Sequence, residues 1–150
     1  MKLQETIKQN KPFKSEFQKL MVNISVTSSW LNAIFADRLK PFGISPHQFN
    51  VLRILNGKYP DGYCNQEITE RMIDKSSNAT RIVDKLIEKK FVIRTENAED
   101  RRLVDIKITD MGIKLLEEIE KAPFPKQIKR NLFNDEKAKL MNEWLDELRS

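Results

Sequence analysis

An amphipathic segment in the middle of the chain constrains the fold more than any other feature of the sequence. Between Ser77 and Lys89 the apolar residues follow one another at steps of three, one, three and one. They are Ala79, Ile82, Val83, Leu86 and Ile87. Because an α-helix turns once in about 3.6 residues, these side chains share one face. The segment is therefore predicted to be a helix that packs on one side and presents polar residues on the other.

Two short runs rich in β-branched residues follow this helix. Residues 91–95 and 103–109 are predicted to be antiparallel strands, and the second run alternates Val104, Ile106 and Ile108 with other residues. The connection between them, residues 96–102, is polar and charged, so it is predicted to project from the body as a hairpin tip. The arginines of this tip have no obvious role in a core.

Helices are predicted before this unit. Apolar spacing over residues 13–39 indicates a long helix that ends at the Pro41-Phe42-Gly43 turn. The next helix has Ser45 as its cap and Pro46 at its first position, and it ends at Gly57. Its buried stripe is predicted to be Phe49, Leu52 and Leu55.

A turn at residues 58–62 leads into a third, shorter helix. Tyr63 and Cys64 are predicted to form a brief strand, and Asn65 is predicted to cap a helix that reaches about Met72. A second short connection then leads into the amphipathic helix.

Two or three helices are predicted after the hairpin. Thr109 is expected to cap a helix that runs to about Lys121. Prolines separate it from a segment at residues 127–133 and from a final helix at 136–149, for which Asn134 is the candidate cap.

The final helix carries an apolar stripe. An isolated helix of this length is not stable in water, so the stripe must pack against another surface. It lies, with the long first helix, outside the unit formed by residues 45–109, and pairing with a second copy of the chain would bury both. The predicted dimer contacts are Phe17, Leu20, Met141, Trp144, Leu145 and Leu148.

Composition excludes several classes of protein. The longest apolar run spans residues 33–36, too short for a membrane span, and the first residues have no apolar signal-peptide stretch, so we expect a cytoplasmic protein without a membrane partner. One cysteine, Cys64, and one histidine, His47, exclude an internal disulfide and a Cys/His zinc site. With four glycines and no nucleophile paired with a base, we expect neither an enzyme nor a cofactor.

The charges are spread along the chain. The net charge of the whole chain is +5. It divides into +5 for residues 1–64, +1 for residues 65–109 and −1 for residues 110–150, and no segment is a basic tail. Any contact with nucleic acid must therefore come from a few well-positioned cations.

The order of elements in residues 45–109 is that of a winged helix-turn-helix: a short helix, a turn, a helix with a polar beginning, and a hairpin with a basic tip. The fold class is thus mainly α with a small antiparallel hairpin. An N-terminal dimerisation helix (1–44) and C-terminal dimerisation helices (110–150) flank this lobe in one compact chain. The partner is predicted to be double-stranded DNA, because an α-helix fits the major groove.

The candidate DNA contacts lie at the start of the amphipathic helix and at the wing tip. They are Ser76, Ser77, Asn78, Thr80, Arg81, Lys85, Asp100, Arg101 and Arg102. Arg81 is a candidate for guanine or a phosphate, and Asn78 for adenine. At the wing, Arg101 or Arg102 would enter the minor groove, and Asp100 would orient an arginine by a two-pronged ion pair.

Several short motifs resemble the MarR family of bacterial transcription regulators. They are Ile44-Ser45, Gln48-Phe49-Asn50-Val51-Leu52, Arg81-Ile82-Val83-Asp84-Lys85-Leu86, Val92, Arg94, Glu99-Asp100-Arg101-Arg102, Val104 and Thr109-Asp110-Met111-Gly112. The Asp-Arg-Arg wing is the most specific of them, and the resemblance covers about residues 44–116.

This resemblance implies a homodimer on pseudo-palindromic DNA, with Arg102 in the minor groove and Asp100 steadying the wing. It also implies that the terminal helices form the dimer, and that a small ligand, often an aromatic acid, binds between these helices and the DNA-reading lobe and releases the DNA. The function expected from it is that of a homodimeric repressor. The family's usual glycine before the first wing strand is Lys90 in this chain, which costs about 1 kcal/mol if that residue is left-handed. Cys64 does not match the reactive cysteine of the family's hydroperoxide sensors, which lies near the start of the first helix.

Other interpretations remain open at this point. The polar side of the amphipathic helix taken alone suits an ordinary solvated face, and the wing arginines suit an exposed ion pair with Glu99 or Asp100. A winged helix that binds a protein and not DNA would fit the charge of +1 in residues 65–109.

Overall fold

The computed structural model describes residues 2–97, 100, 102–128 and 134–150. Helices and one two-stranded antiparallel sheet make up this part of the chain, which confirms the predicted fold class. The elements are α1 (Leu3–Thr6), α2 (Glu16–Leu39), α3 (Pro46–Asn56), α4 (Asn65–Arg71), α5 (Ala79–Glu88), β1 (Val92–Glu96), β2 (Val104–Ile108), α6 (Asp110–Lys121) and α7 (Asp135–Glu147), with a 3₁₀ turn at Lys40–Phe42. Most of the predicted segment at 127–133 lies outside the described residues.

Side-chain caps set most of the helix boundaries. Ser45 accepts a hydrogen bond from the Gln48 amide at 3.2 Å, and Thr109 accepts one from the Gly112 amide at 3.1 Å, as the sequence predicts. Asn134 likewise caps α7. The prediction for Asn65 is wrong by one residue: Cys64 is the cap of α4, and its amide donates to Glu67 at 2.9 Å. A capping box of this kind needs a Glu three residues on, and that spacing selects position 64.

The long helix α2 begins later than the apolar pattern suggests. It starts at Glu16, after Ser15, whose hydroxyl accepts from the Gln18 amide at 3.1 Å. Phe13 therefore precedes the helix, because a good cap outweighs one more apolar position at helical spacing. The four-residue helix α1 was not predicted.

The core lies where α3, α4, α5 and α6 meet the sheet. Side chains from each of these elements are fully or almost fully buried: Val51, Leu52, Leu55, Ile68, Val83, Leu86, Val92, Ile106 and Ile119. In α3 the innermost positions include Val51, whereas Phe49, predicted as part of the buried stripe, is half-buried at the edge of the core. The predicted face of α5 is confirmed, with Ile82 and Ile87 at its margins.

The wing sheet pairs β1 with β2 in an antiparallel register in which Val92 opposes Ile108 and Glu96 opposes Val104. Tyr63 adds one bridge to its outer edge through two hydrogen bonds with Ile106, of 2.9 and 3.1 Å. The predicted strand at Tyr63 and Cys64 is thus a single bridge. It joins the segment before α4 to the base of the wing.

The turn between α5 and β1 has the left-handed backbone that the sequence analysis considered. Lys90 has φ of +63°, and its amide donates to the Ile87 carbonyl at 2.8 Å while the Phe91 amide donates to the Leu86 carbonyl at 3.0 Å. This pair of bonds is a Schellman ending, in which glycine is the preferred residue at the left-handed position. Lys90 adopts the same backbone geometry, but its Cβ makes the left-handed conformation strained.

Replacing Lys90 with glycine is therefore expected to stabilise the protein by about 1 kcal/mol, because glycine adopts positive φ without a Cβ penalty. Urea denaturation at equal protein concentration measures the change. Lys90→Ala is the matched control: it removes the same charge but keeps Cβ, so it should gain little. An equal gain in both variants would assign the effect to the side chain and not to the backbone.

The two ends of the chain leave apolar side chains exposed. In α2 only Leu39 is buried, and α7 has no buried residue. Phe17 and Trp144 are each 63% exposed, and Leu20, Met141 and Leu148 are also exposed, while Leu145 is half-buried. The division into dimerisation helices and a DNA-reading lobe stays a prediction. No helix in the described ranges is long and apolar enough to cross a lipid bilayer.

Candidate nucleic-acid interface

The turn between α4 and α5 is organised by one carboxylate, Asp74. One of its oxygens, Oδ1, accepts from the amide and the hydroxyl of Ser76 at 3.0 and 2.6 Å, and the other accepts from the Ser77 hydroxyl at 2.8 Å. A third partner, His47 of α3, lies 3.2 Å from Oδ2. These hydrogen bonds, led by those from the two serines, hold the pKa of Asp74 well below its usual range. The carboxylate is therefore ionised and fixes the backbone that enters α5.

Asp74 was missed by the sequence analysis, although a signal was present. An Asp followed two residues later by Ser is a pattern for a turn in which the carboxylate bonds its own downstream backbone. Ser76 and Ser77, predicted to face DNA, donate their hydroxyl protons to Asp74 and keep oxygen lone pairs as acceptors. Ser76 is exposed and Ser77 is half-buried.

Asn78 is the cap of α5. Its Oδ1 accepts from the Arg81 amide at 3.0 Å. An asparagine recognises adenine through both the oxygen and the nitrogen of its side-chain amide. In Asn78 the oxygen already accepts the Arg81 amide, so an adenine would have to share it. The adenine contact stays a prediction, and capping is the role that the structure shows.

The outer face of α5 is polar and accessible. Thr80, Arg81 and Lys85 are exposed along it, and the Lys85 ammonium pairs with Glu88 at 2.9 Å. The apolar face of the same helix is in the core, so the predicted contact residues point away from the protein body.

An ion pair joins α5 to the wing. The Arg94 guanidinium on β1 donates to Asp84 on α5 at 2.5 Å, with both side chains about half exposed. Neither residue was among the predicted site residues, although both lie in the motifs quoted above. Their contact spans the turn at Lys90 and joins the helix directly to the hairpin.

The wing tip holds one arginine in a fork. Arg102 donates from Nε and Nη2 to the two oxygens of Asp100 at 3.0 and 2.9 Å, and its amide donates to Oδ1 at 3.0 Å. The pair lowers the pKa of Asp100 and raises that of Arg102, in both cases chiefly through the side-chain hydrogen bond. The Arg102 side chain is 89% exposed, so the fork orients the cation without burying it. Arg101 lies outside the described residues.

Asn97 supports this tip from the strand side. Its Oδ1 accepts from the Asp100 amide at 2.9 Å, and its Nδ2 donates to the Asp105 carboxylate at 3.0 Å. Asn97 was not among the predicted site residues, because a polar residue in a charged hairpin gives no distinguishing signal.

A shallow groove of about 300 Å³ separates the beginnings of α3 and α5. The side chains that line it include Ser45, His47, Gln48, Asn78, Arg81 and Lys85. Three of these belong to α3 or its cap, which extends the polar surface beyond the residues predicted from the sequence. In the described ranges, no three His, Cys, Asp or Glu side chains cluster as metal ligands would.

A second cleft of about 360 Å³ lies between α2 and α3. It combines two aromatic rings, Phe35 and Phe49, with two arginines, Arg38 and Arg53. Arg38 also donates to the Ile119 and Ala122 carbonyls at 2.8 and 3.0 Å, which ties α2 to the end of α6.

Comparisons with known proteins agree with this geometry. A family model described as the MarR family matches residues 44–104. The HTH-type transcriptional regulator MhqR of Bacillus subtilis (strain 168) is 32% identical over 101 residues, which are 67% of this chain and 68% of MhqR. The HTH-type transcriptional repressor MdtR of the same organism is 39% identical over 83 residues, 55% of this chain and 52% of MdtR. The chain thus spans only about half the length of MdtR.

Solved structures share the fold. A structure of the transcriptional repressor CouR bound to a 23-mer DNA duplex has a TM-score of 0.76 at 21% identity and covers 94% of this chain and 100% of that one. CouR from Rhodococcus jostii RHA1 bound to p-coumaroyl-CoA has a TM-score of 0.71 at 21% identity, with 92% and 94% covered. From the relationship to MhqR, the family match and the winged architecture, we conclude that the chain belongs to the MarR family of HTH-type transcriptional regulators.

Proposed function

We propose that this protein is a homodimeric repressor that binds a pseudo-palindromic DNA site through α5 and the wing and is released by a small ligand. The observation that carries the proposal is the Asp100–Arg102 fork, which aims an exposed guanidinium from the hairpin tip. Only two of the five guanidinium donors are used by the fork, so others stay available for a groove or a phosphate. The family consists of transcription regulators, and no catalytic step is part of the proposal.

In this proposal α5 enters the major groove while the wing reaches the adjacent minor groove. Arg81 and Lys85 supply cations on the exposed face, and Ser76, Ser77, Asn78 and Thr80 are short enough for the helix to approach closely. The Asp84–Arg94 pair supports simultaneous contact, because it links the helix and the wing directly. Arg102 and the adjacent Arg101 are assigned to the minor groove.

The exposed apolar side chains of α2 and α7 support the dimer. The large apolar groups Phe17 and Trp144 are each 63% exposed, and burying them against a partner would remove apolar surface from water. A twofold pair would bury them and would place two α5 helices about one turn of DNA, roughly 34–36 Å, apart.

The cleft between α2 and α3 supports release by a ligand. Its two phenylalanine rings and two arginines suit a flat aromatic anion, and it touches both a dimerisation helix and the DNA-reading lobe. A ligand that prefers one spacing of the two lobes by 1–3 kcal/mol would change DNA occupancy about 5- to 150-fold.

Selection of tightly bound duplexes from a random pool with purified protein tests the proposal directly. A recovered inverted repeat, with half-sites one helical turn apart, would establish DNA binding, symmetry and spacing together. Failure to enrich any duplex would favour the second candidate, a winged helix that binds a protein, which fits the net charge of only +1 in residues 65–109.

Replacing Arg102 with alanine is expected to weaken binding to every duplex by a similar factor, because wing contacts read groove shape and phosphates. A lost phosphate contact lowers the slope of log affinity against log salt by about 0.9 per wing, so by about 1.8 per dimer. Fluorescence anisotropy at several salt concentrations measures both effects. Arg149→Ala, which removes an exposed cation at the far end of the chain, is the matched control and should change neither. An unchanged slope for Arg102→Ala would contradict the wing assignment.

A further inference from the structure

His47 occupies a position on the DNA-reading surface that the proposed function has not used. It lies in the first turn of α3 and lines the same groove as Asn78, Arg81 and Lys85 of the α5 segment. Its side chain is 46% exposed, so a ligand in the groove can reach it. It is the only histidine in the chain.

The hydrogen bond to Asp74 fixes which nitrogen of the neutral ring carries the proton. Asp74 is ionised and can only accept hydrogen bonds, so Nε2 of His47, 3.2 Å from Oδ2, is the donor. In the neutral ring Nδ1 is then an acceptor, which repels a phosphate oxygen. Protonation turns Nδ1 into a donor, adds a positive charge, and leaves the bond to Asp74 in place.

Charged groups face His47 from the turn before α5 and from α5 itself. Asp74 on the turn before α5 contacts the ring, and the cations Arg81 and Lys85 of α5 line the same groove. On its other side the cleft toward α2 is lined by Ser28, Asn32 and Asn50, which carry no charge. A phosphate that enters the groove would offset the positive charges of Arg81 and Lys85 and would attract one more cation. Phosphate binding therefore favours the protonated form of His47.

We propose that protonated His47 binds a backbone phosphate of the DNA, so that the protein takes up protons when it binds its site. The inference rests on the proposed function and adds a phosphate ligand on α3 to the contacts from α5 and the wing. Its consequence is that affinity rises as pH falls through the range in which imidazole titrates. A repressor with this property holds its DNA more tightly in a more acidic cell.

Linkage gives the expected size of the effect. One coupled proton changes affinity by at most tenfold per pH unit, and a dimer carries two such imidazoles. Two imidazoles over two pH units set a ceiling of about 10⁴-fold, and we expect affinity for the selected duplex to fall by about 10- to 100-fold between pH 6 and pH 8 at constant salt. Asp74 stays ionised throughout this range because its pKa is held low, so it does not contribute to the slope.

Two substitutions at His47 test the inference. His47→Gln keeps an N–H for Asp74 but cannot gain a charge, so its affinity should be independent of pH and equal to that of the wild type at pH 8. His47→Lys carries a permanent charge, so its affinity should also be flat but closer to the wild-type value at pH 6. A wild type that binds DNA with the same affinity at pH 6 and pH 8, or a His47→Gln variant that keeps the slope, would overturn the proposal.

The single imidazole also gives a direct spectroscopic readout. At pH 7 the Cε1–H resonance of His47 should move toward its acid position when the selected duplex is added. Movement toward the basic position, or no movement at saturation, would contradict proton uptake at this ring. If no duplex binds at either pH, the proposed function fails and this inference with it; if duplexes bind without pH dependence, only this inference fails.

Discussion

Replacing Trp144 with glutamate is expected to convert the protein to a monomer and to lower its affinity for a full inverted repeat by about 100-fold or more. Trp144 is 63% exposed in the single chain, so the substitution leaves the fold of the monomer intact. In a dimer the same position would bury a carboxylate without a partner, which costs several kcal/mol. Loss of the dimer removes the linkage between two DNA-reading lobes, and such linkage raises affinity by about 10²- to 10⁴-fold.

Sedimentation velocity and titration of two duplexes check this prediction. The variant should sediment as a monomer, and its affinity for a duplex with one half-site should match that of the wild type. Lys139→Glu is the matched control, because Lys139 lies on α7 opposite the apolar stripe and is 76% exposed. It should remain dimeric and bind the full site, with a modest loss from the reversed charge. A Trp144→Glu protein that stays dimeric would show that α7 is not the dimer surface.

The elements that could be predicted from the sequence are those that a local pattern specifies. The 3.6-residue spacing of apolar residues predicts α5, and its buried Val83 and Leu86 confirm it. Caps such as Ser45 and Thr109 act within three residues of their own position, so the sequence contains all the information that they need. The left-handed conformation of Lys90 was raised only as a condition, through the glycine that the family usually has at this position, and the structure shows it.

The elements that could not be predicted depend on contacts between distant segments. His47 meets Asp74 across 27 positions, and the bond exists because α3 packs beside the turn before α5. The Asp84–Arg94 pair requires the angle between helix and wing, which no single-segment pattern contains. The same reasoning explains Val51: the helical spacing of α3 permits several stripes, and the position of α5 and α6 decides which one is buried.

Two of the predicted DNA contacts differ in how far residue type alone predicts their role. The two-pronged pair of Asp100 and Arg102 involves residues two apart, and the structure shows the predicted fork. For Asn78 the residue type alone suggests base reading, whereas its place at the start of a helix gives the oxygen a structural task. Side chains at helix ends should therefore be assigned to DNA only after their capping bonds are known.

At Gly112 a single added carbon is expected to destabilise the protein strongly. It is buried in the first turn of α6, where a Cβ would lie 2.5 Å from the Phe91 carbonyl oxygen and 2.7 Å from Cγ1 of Ile108. That carbonyl accepts the Thr109 amide at 3.0 Å, so the contact joins α6 to the base of the wing. Gly112→Ala is expected to lower the free energy of unfolding by about 2–3 kcal/mol, because a backbone atom must move and alanine's better helix propensity offsets only about 1 kcal/mol.

Urea denaturation at equal protein concentration measures the loss, since the stability of a dimer depends on concentration. Gly57→Ala is the matched control. Gly57 ends α3 with a right-handed backbone, and its Cβ would lie 3.4 Å from the nearest atom, an ordinary contact. That variant should be as stable as the wild type or more stable by up to about 1 kcal/mol. Equal stabilities for the two variants would mean that α6 can move away from the wing at little cost, and the wing would then not be held rigidly against the body.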